Sequence, residues 1–175
     1  MCVHIQGTII GDLRENHCSL FNAMRRFREL SNNIQTLWDE RFSAFSDAEI
    51  FCALDRALYQ DHGQSLDEMQ ADWKGMGEFD FLTGAGEGFD DSKTFIICRP
   101  GGFIHILYKL SKLRGPYQHL QDDVFGSVSC RVESFRTVAE AFVQWFDEQV
   151  RTTAPPFFPI NPFDLNETVP DNWNP

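Results

Sequence analysis

Two β-rich runs that meet at a glycine turn constrain the fold of this chain more than any other feature. Residues 93–99 and 103–109 are rich in β-branched and aromatic side chains, and a Pro-Gly-Gly turn stands between them at residues 100–102. Short connections that contain glycine join the strands of β-hairpins, because glycine adopts the backbone conformations that such turns need. The sequence therefore predicts a β-hairpin, and pairing outward from its turn places Cys98 opposite Ile104.

Helical patterns surround this hairpin. Apolar residues recur at helical spacing from Ser19 onward, and again after Ser134, which we expect to cap the last helix. Residues 46–49 and 65–68 each begin with serine and end with glutamate, which is the pattern of a capping box. The sequence therefore predicts two more helices, one after each capping box.

The remaining segments complete an α+β pattern. Strands are predicted over residues 3–10 and 124–132, with a shorter one at 79–82 inside a glycine-rich loop. The order of strands and helices predicts an antiparallel sheet with a central β-hairpin packed against helices. We expect one α+β domain over residues 1–151. The tail that follows, residues 152–175, is rich in proline and aromatic residues, and we expect it to pack on the domain.

The common catalytic, metal and nucleotide patterns are absent from the sequence. Its cysteines form no CxxC pair and its histidines no HxH or HxxxH pair, so neither a disulfide framework nor a zinc site is predicted. The glycines at 84–88 lack the lysine and the strand-to-helix context of a phosphate-binding loop. Asp80, Glu87, Asp90 and Asp91 offer oxygen ligands for Ca²⁺, but the spacing of an EF-hand is missing. We therefore predict no cofactor and no metal.

Net charge and hydropathy limit the partners and the cellular location that we expect for this chain. The chain has 26 acidic and 15 basic residues and a net charge of −11, which counts against nucleic-acid binding, since phosphates attract basic surfaces. No apolar run approaches the roughly 20 residues of a membrane-spanning helix. The N-terminal residues lack the basic and apolar regions of a signal peptide. We expect a cytoplasmic protein that binds neither nucleic acid nor membrane.

One segment carries most of the negative charge. Nine acidic residues and one lysine lie between Asp61 and Asp91, and aromatic side chains are interspersed among them. An anionic surface with exposed aromatic side chains suits a basic protein partner, because the charges steer the encounter and aromatic residues anchor interfaces. The alternative is a plain solvated surface. The predicted partner-binding residues are Asp72, Trp73, Glu78, Phe79, Asp80, Glu87, Phe89, Asp90 and Asp91.

From Phe95 onward the chain resembles the C-terminal half of the SUKH immunity superfamily. The resemblance rests on residues 95–97 and 101–104, on a strand around Val128, and on a helix that opens at residues 134–135. More broadly, a small acidic α+β chain without a catalytic motif is similar to the immunity proteins of bacterial toxin systems. This resemblance implies a protein that is not an enzyme, and that neutralises a cognate toxin, often a basic nuclease, by covering its active site or another surface.

Three functional hypotheses follow. The first is an immunity protein that binds a basic toxin through the acidic, aromatic-containing segment. The second is a non-catalytic adaptor, or a structural or regulatory protein of a phage or secretion system, that uses its aromatic tail as the contact. The third is a hydrolase whose site is assembled from scattered residues such as His62, Asp80 and His105.

Overall fold

The computed structural model describes residues 3–5, 7–10, 19–61, 63–83, 85, 89, 92–110 and 124–153. Its strands and α-helices follow in the order β1 (Val3–Ile5), β2 (Thr8–Ile10), α1 (Leu20–Asn33), α2 (Asp47–Tyr59), α3 (Leu66–Met76), β3 (Ser92–Arg99), β4 (Phe103–Leu110), β5 (Val124–Arg131) and α4 (Val132–Thr153). Short 3-10 helices lie at Ile34–Thr36, Glu40–Phe42 and Gly77–Phe79. Both sheets are antiparallel, one formed by β1 and β2 and the other in the order β3-β4-β5. The prediction of an α+β fold is confirmed.

The central hairpin of β3 and β4 has the predicted register. Cys98 pairs with Ile104, and the pairing continues in step to Ser92 and Leu110. In the turn, the two glycines 101 and 102 have φ of 99° and 78°, values that other residues adopt only with strain. The glycines thus fix the turn, and the turn fixes which side chains share a face of the sheet.

Strand β3 lies at the centre of the hydrophobic core. Its residues from Thr94 to Cys98 are all buried, which requires cover on both faces because successive side chains point to opposite sides. On one face the Phe51 ring of α2 lies 5.1 Å from the Phe95 ring. Ile96, on the other face, joins a core cluster that also contains Phe135 of α4.

The outer edge of β3 is closed by backbone hydrogen bonds from two non-strand segments. The Cys98 amide donates to the Leu37 carbonyl at 2.7 Å, and the Phe81 amide donates to the Thr94 carbonyl at 2.9 Å. The prediction of a strand at 79–82 is wrong, because the chain there forms a 3-10 helix and then a single bridge between Asp80 and Phe95.

Other boundaries differ from the predicted ones. The single strand predicted over 3–10 is two strands joined by a turn in which Gly7 has a φ of 83°. Helix α4 begins at Val132 rather than after Ser134, because the Val132 amide still donates to the Gly102 carbonyl at 3.1 Å and the chain passes directly from strand to helix.

The tail, predicted over 152–175, lies outside the described residues from 154 onward. Among the helices that the structure describes, none is long and apolar enough to cross a membrane.

A carboxylate at the start of α2 ties this helix to all three strands of the sheet. Asp47 forms an ion pair with Arg99 of β3 at 2.8 Å and accepts hydrogen bonds from His105 of β4 and Ser127 of β5. Burial raises the pKa of the Asp47 carboxyl, but the hydrogen bonds from Ser127, His105 and Arg99 outweigh it and lower the pKa to about 2.

We expect this network to make the fold sensitive to acid in a defined range. The pKa of Asp47 in the folded chain is about 2, below the ordinary 3.8, so its contribution is complete above pH 4 to 5 and is lost as the pH falls from about 4 to about 2. The variant Asp47→Asn should lower stability near neutral pH and flatten its dependence on pH in that range. Urea denaturation between pH 2 and pH 7 measures both effects. Glu140→Gln, at an exposed position within α4, is the control, and an unchanged pH profile in Asp47→Asn would contradict the assignment.

Candidate partner-binding surface

The acidic segment divides into an exposed helix and a buried turn. Helix α3 has no buried residue. Immediately after it, the chain turns inward, and Phe79, Phe81 and Phe89 are at most 1% exposed. The two halves therefore have different roles, one at the surface and the other in the core.

Acidic residues begin α3 and stabilise it. The Ser65 hydroxyl accepts a hydrogen bond from the Glu68 amide, and the Glu68 carboxylate accepts one from the Ser65 amide, so the predicted capping box is present. Asp67 also lies in the first turn and Lys74 in the last, where each charge opposes the helix dipole. The negative charge of this helix therefore favours helix formation.

The apolar side chains of α3 form an exposed row, which we call the α3 stripe. It consists of Leu66, Met69 and Trp73, which are 72%, 39% and 48% exposed. Their spacing of three and four residues places them on one side of the helix. The carboxylates of the helix border this stripe. An apolar row at the surface beside carboxylates is a feature of protein-binding faces.

The Trp73 ring packs against one aromatic side chain and lies close to a glycine. The Tyr59 ring of α2 meets it nearly edge to face, with ring centres 6.1 Å apart and planes at 83°. At Gly77, an added Cβ would stand 2.7 Å from Cε3 of the indole. The absence of a side chain at Gly77 therefore lets the ring occupy this position.

Tyr59 is itself fixed by polar groups. Its hydroxyl donates to the Asp80 carboxylate at 2.8 Å, and the Lys93 ammonium lies 5.5 Å from the ring centre. Lys93 also forms an ion pair with Asp55 at 2.5 Å. Burial, followed by the charge of Asp80, raises the pKa of the Tyr59 hydroxyl, which keeps it protonated as a donor. The support for Trp73 thus reaches back to the sheet.

Asp80 supports this arrangement from inside the molecule and is not an open surface residue. Its side chain accepts the hydrogen bond from Tyr59, and its backbone carbonyl accepts one from Arg26 of α1. Burial raises the pKa of the Asp80 carboxyl, although hydrogen bonds from Thr83 and Tyr59 lower it in part. Arg26 also binds the backbone carbonyl of Glu78. Two hydrogen bonds from the Arg26 guanidinium to backbone carbonyls therefore fix the turn that follows α3.

The structure corrects the expected exposure of two predicted anchors. Phe79 and Phe89 are buried, and the Phe79 ring packs 5.5 Å from that of Phe42. The Phe89 carbonyl accepts a hydrogen bond from the Ser92 hydroxyl at 2.9 Å. The prediction that these two side chains are exposed anchors is wrong, because both belong to the hydrophobic core cluster.

The remaining predicted site residues fall into two groups. Asp72 and Trp73 lie on α3, and Glu78 is exposed just after it. Glu87, Asp90 and Asp91 lie outside the described residues. Leu66 and Met69 were missed by the sequence analysis as site residues, because an apolar row at helical spacing is usually buried.

Two residues of the hydrolase hypothesis have separate partners. Asp80 binds Tyr59, whereas His105 binds Asp47 at 2.8 Å. The third residue, His62, lies outside the described residues. Within the part of the chain that the structure describes, no group of three or more His, Cys, Asp or Glu residues is placed to hold a metal ion.

Comparison with known proteins identifies a family. A family model described as Immunity protein 42 matches residues 1–145. No curated protein and no solved structure matches the chain. The matched range contains both sheets, helices α1 to α3 and more than half of α4, and so it includes the whole α3 stripe.

We expect Phe79 and Trp73 to differ strongly in their effect on stability. Phe79→Ala removes a fully buried ring and should lower the free energy of unfolding by about 3–5 kcal/mol. Trp73→Ala removes a half-exposed ring with one aromatic neighbour, and its cost should be about 1 kcal/mol. Urea denaturation of the two variants measures the difference. Equal losses would contradict the division of the segment into an exposed and a buried half.

Proposed function

The chain belongs to the Immunity protein 42 family, and we propose that it neutralises a basic toxin by binding it through the acidic surface around α3. An immunity protein acts by neutralising a cognate toxin. The observation that supports this site is the combination of an exposed apolar stripe and bordering carboxylates on one helix with no buried residue. The described residues of the proposed surface are Leu66, Asp67, Glu68, Met69, Asp72, Trp73 and Glu78. The sequence adds Glu87, Asp90 and Asp91, which lie outside the described residues.

Charge favours a basic partner. Among the described residues of this surface, Asp67, Glu68, Asp72 and Glu78 are acidic, and Lys74 is the cation nearest to them in sequence. Exposed carboxylates of one sign attract a cationic surface over several ångströms and raise the rate of association. Their effect on the lifetime of the complex is smaller, because water and salt screen them once the partners are in contact.

The mechanism requires binding alone. A toxin is inactive when its active site, or a surface that it needs for its target, is covered by another protein. The contact of Trp73 with Tyr59, and the space that Gly77 leaves for its ring, suit such an inhibitor, because an aromatic side chain that is already placed loses little freedom on binding.

The direct test is protection of a bacterial host. The cognate toxin domain would be expressed with and without the chain, and growth would be followed. We expect growth only when both are present, and a complex of the two proteins when they are mixed after purification. If the toxin kills in the presence of the folded chain and no complex forms, the proposed function is wrong.

Reversal of charge near the stripe should slow association. The double variant Asp72→Lys, Glu78→Lys should lower the association rate constant about tenfold or more at low salt, and much less at high salt, because long-range attraction is lost. The dissociation rate constant should change less. Surface plasmon resonance with the toxin domain at two salt concentrations measures both.

The matched control for this double variant is Glu133→Lys, Glu140→Lys, which reverses two exposed carboxylates on α4. It changes the net charge by the same amount at a different place. If the two double variants slow association equally, only the total charge matters, and the acidic surface around α3 is not the binding site.

A further inference from the structure

We propose that α3 binds the toxin as a helix in a groove, with the α3 stripe inserted into an apolar groove whose rim carries arginine or lysine side chains. This inference rests on the proposed function and adds the geometry of the contact and the chemistry of the partner. It is based on the exposure of the stripe, on the charges at its sides and on the contacts of the Trp73 ring.

The stripe has the spacing of a helix that docks into a groove. Such helices present apolar side chains at positions i, i+3 and i+7, and Leu66, Met69 and Trp73 have this spacing. Helix α3 is joined to the rest of the molecule mainly through α2 and through the 3-10 helix that follows it. Because these contacts leave the stripe exposed, a partner can reach all three side chains at once.

Carboxylates stand on both sides of the stripe. At 3.6 residues per turn, Asp72 lies on one side of Met69 and Trp73, and Asp67 lies on the other side of Leu66. The side-chain amide of Gln64 donates to the Asp72 carboxylate at 2.6 Å and so holds one of these charges in place. A groove that receives this helix therefore meets apolar side chains at its floor and acidic ones at its rim, which calls for basic residues along the rim.

Trp73 is the anchor that this arrangement positions. Tryptophan is among the residues whose loss most weakens protein interfaces, especially near the centre of the contact. The Tyr59 ring contacts its ring edge to face, and Gly77 leaves the space that the ring occupies. The ring is consequently set before the partner arrives, and Gly77 acts as a positioning residue.

Two glycines provide a matched pair of variants. At Gly77 an added Cβ would lie 2.7 Å from the Trp73 ring, whereas at Gly75 it would meet nothing within 4 Å. Neither residue has a positive φ, so alanine fits the backbone at both. Gly77→Ala therefore displaces the ring, and Gly75→Ala changes the same part of the chain without touching it.

The experiment measures the affinity of purified variants for the cognate toxin domain by isothermal titration. We expect Trp73→Ala to weaken binding about 30-fold or more. Gly77→Ala should weaken it severalfold and Gly75→Ala should leave it unchanged. In the Trp73→Ala background, Gly77→Ala should cause no further loss, because its effect acts through the missing ring. Leu66→Ala, at the most exposed position of the stripe, should also weaken binding while the urea midpoint stays the same.

The outcomes separate this inference from the proposed function. If the unmodified chain binds the toxin domain but Trp73→Ala and Leu66→Ala bind equally well, docking through the stripe is wrong and neutralisation through another surface remains. If Gly77→Ala and Gly75→Ala have the same effect, the positioning role of Gly77 is wrong. If the unmodified chain neither binds the toxin domain nor protects against it, the proposed function fails together with this inference.

Discussion

The burial of β3 on both faces is the constraint on which the rest of the structure depends. A strand in this position has no solvent to satisfy its outer edge, so other backbone groups must do so. Leu37 supplies a carbonyl to one end of that edge and Phe81 an amide to the other. The second contact draws the chain after α3 into the core. The same requirement that completes the sheet thus decides that Phe79 and Phe81 are buried and that α3 is left outside.

A chain of contacts then connects this core to the surface helix. Arg26 of α1 holds the backbone of the turn, the side chain of Asp80 in that turn accepts a hydrogen bond from Tyr59, and the Tyr59 ring contacts Trp73. The buried carboxyl of Asp80 is satisfied in this arrangement, and a buried polar group that has partners fixes the geometry around it. Trp73 is therefore exposed without being loosely held, although it lies on a helix that has no buried residue.

Local patterns in the sequence predicted the parts of the fold that depend on local rules. The turn at 100–102 fixed the register of the hairpin, and the two capping boxes placed the starts of α2 and α3. The exposure of individual side chains was not predictable in this way. Phe79 and Trp73 stand in the same acidic segment with similar neighbours, and only the closure of the β3 edge, a contact between distant residues, buries one and exposes the other. For the same reason, nothing in its spacing distinguishes the row at Leu66, Met69 and Trp73 from a core stripe.

The division of the acidic segment also explains how charge and apolar surface can serve one binding site. Carboxylates in the first turn of α3 stabilise the helix through its dipole. Their concentration there therefore stabilises the free chain, apart from any role in the proposed complex. In the proposed complex, steering by these charges would set how quickly a basic toxin arrives, while the desolvation of Leu66, Met69 and Trp73 would set how long it stays bound. Salt should then act mainly on association and truncation of the stripe mainly on dissociation. The two kinds of residue lie on the same helix, so their positions alone do not separate their effects. Rates of association and dissociation, measured separately, do so.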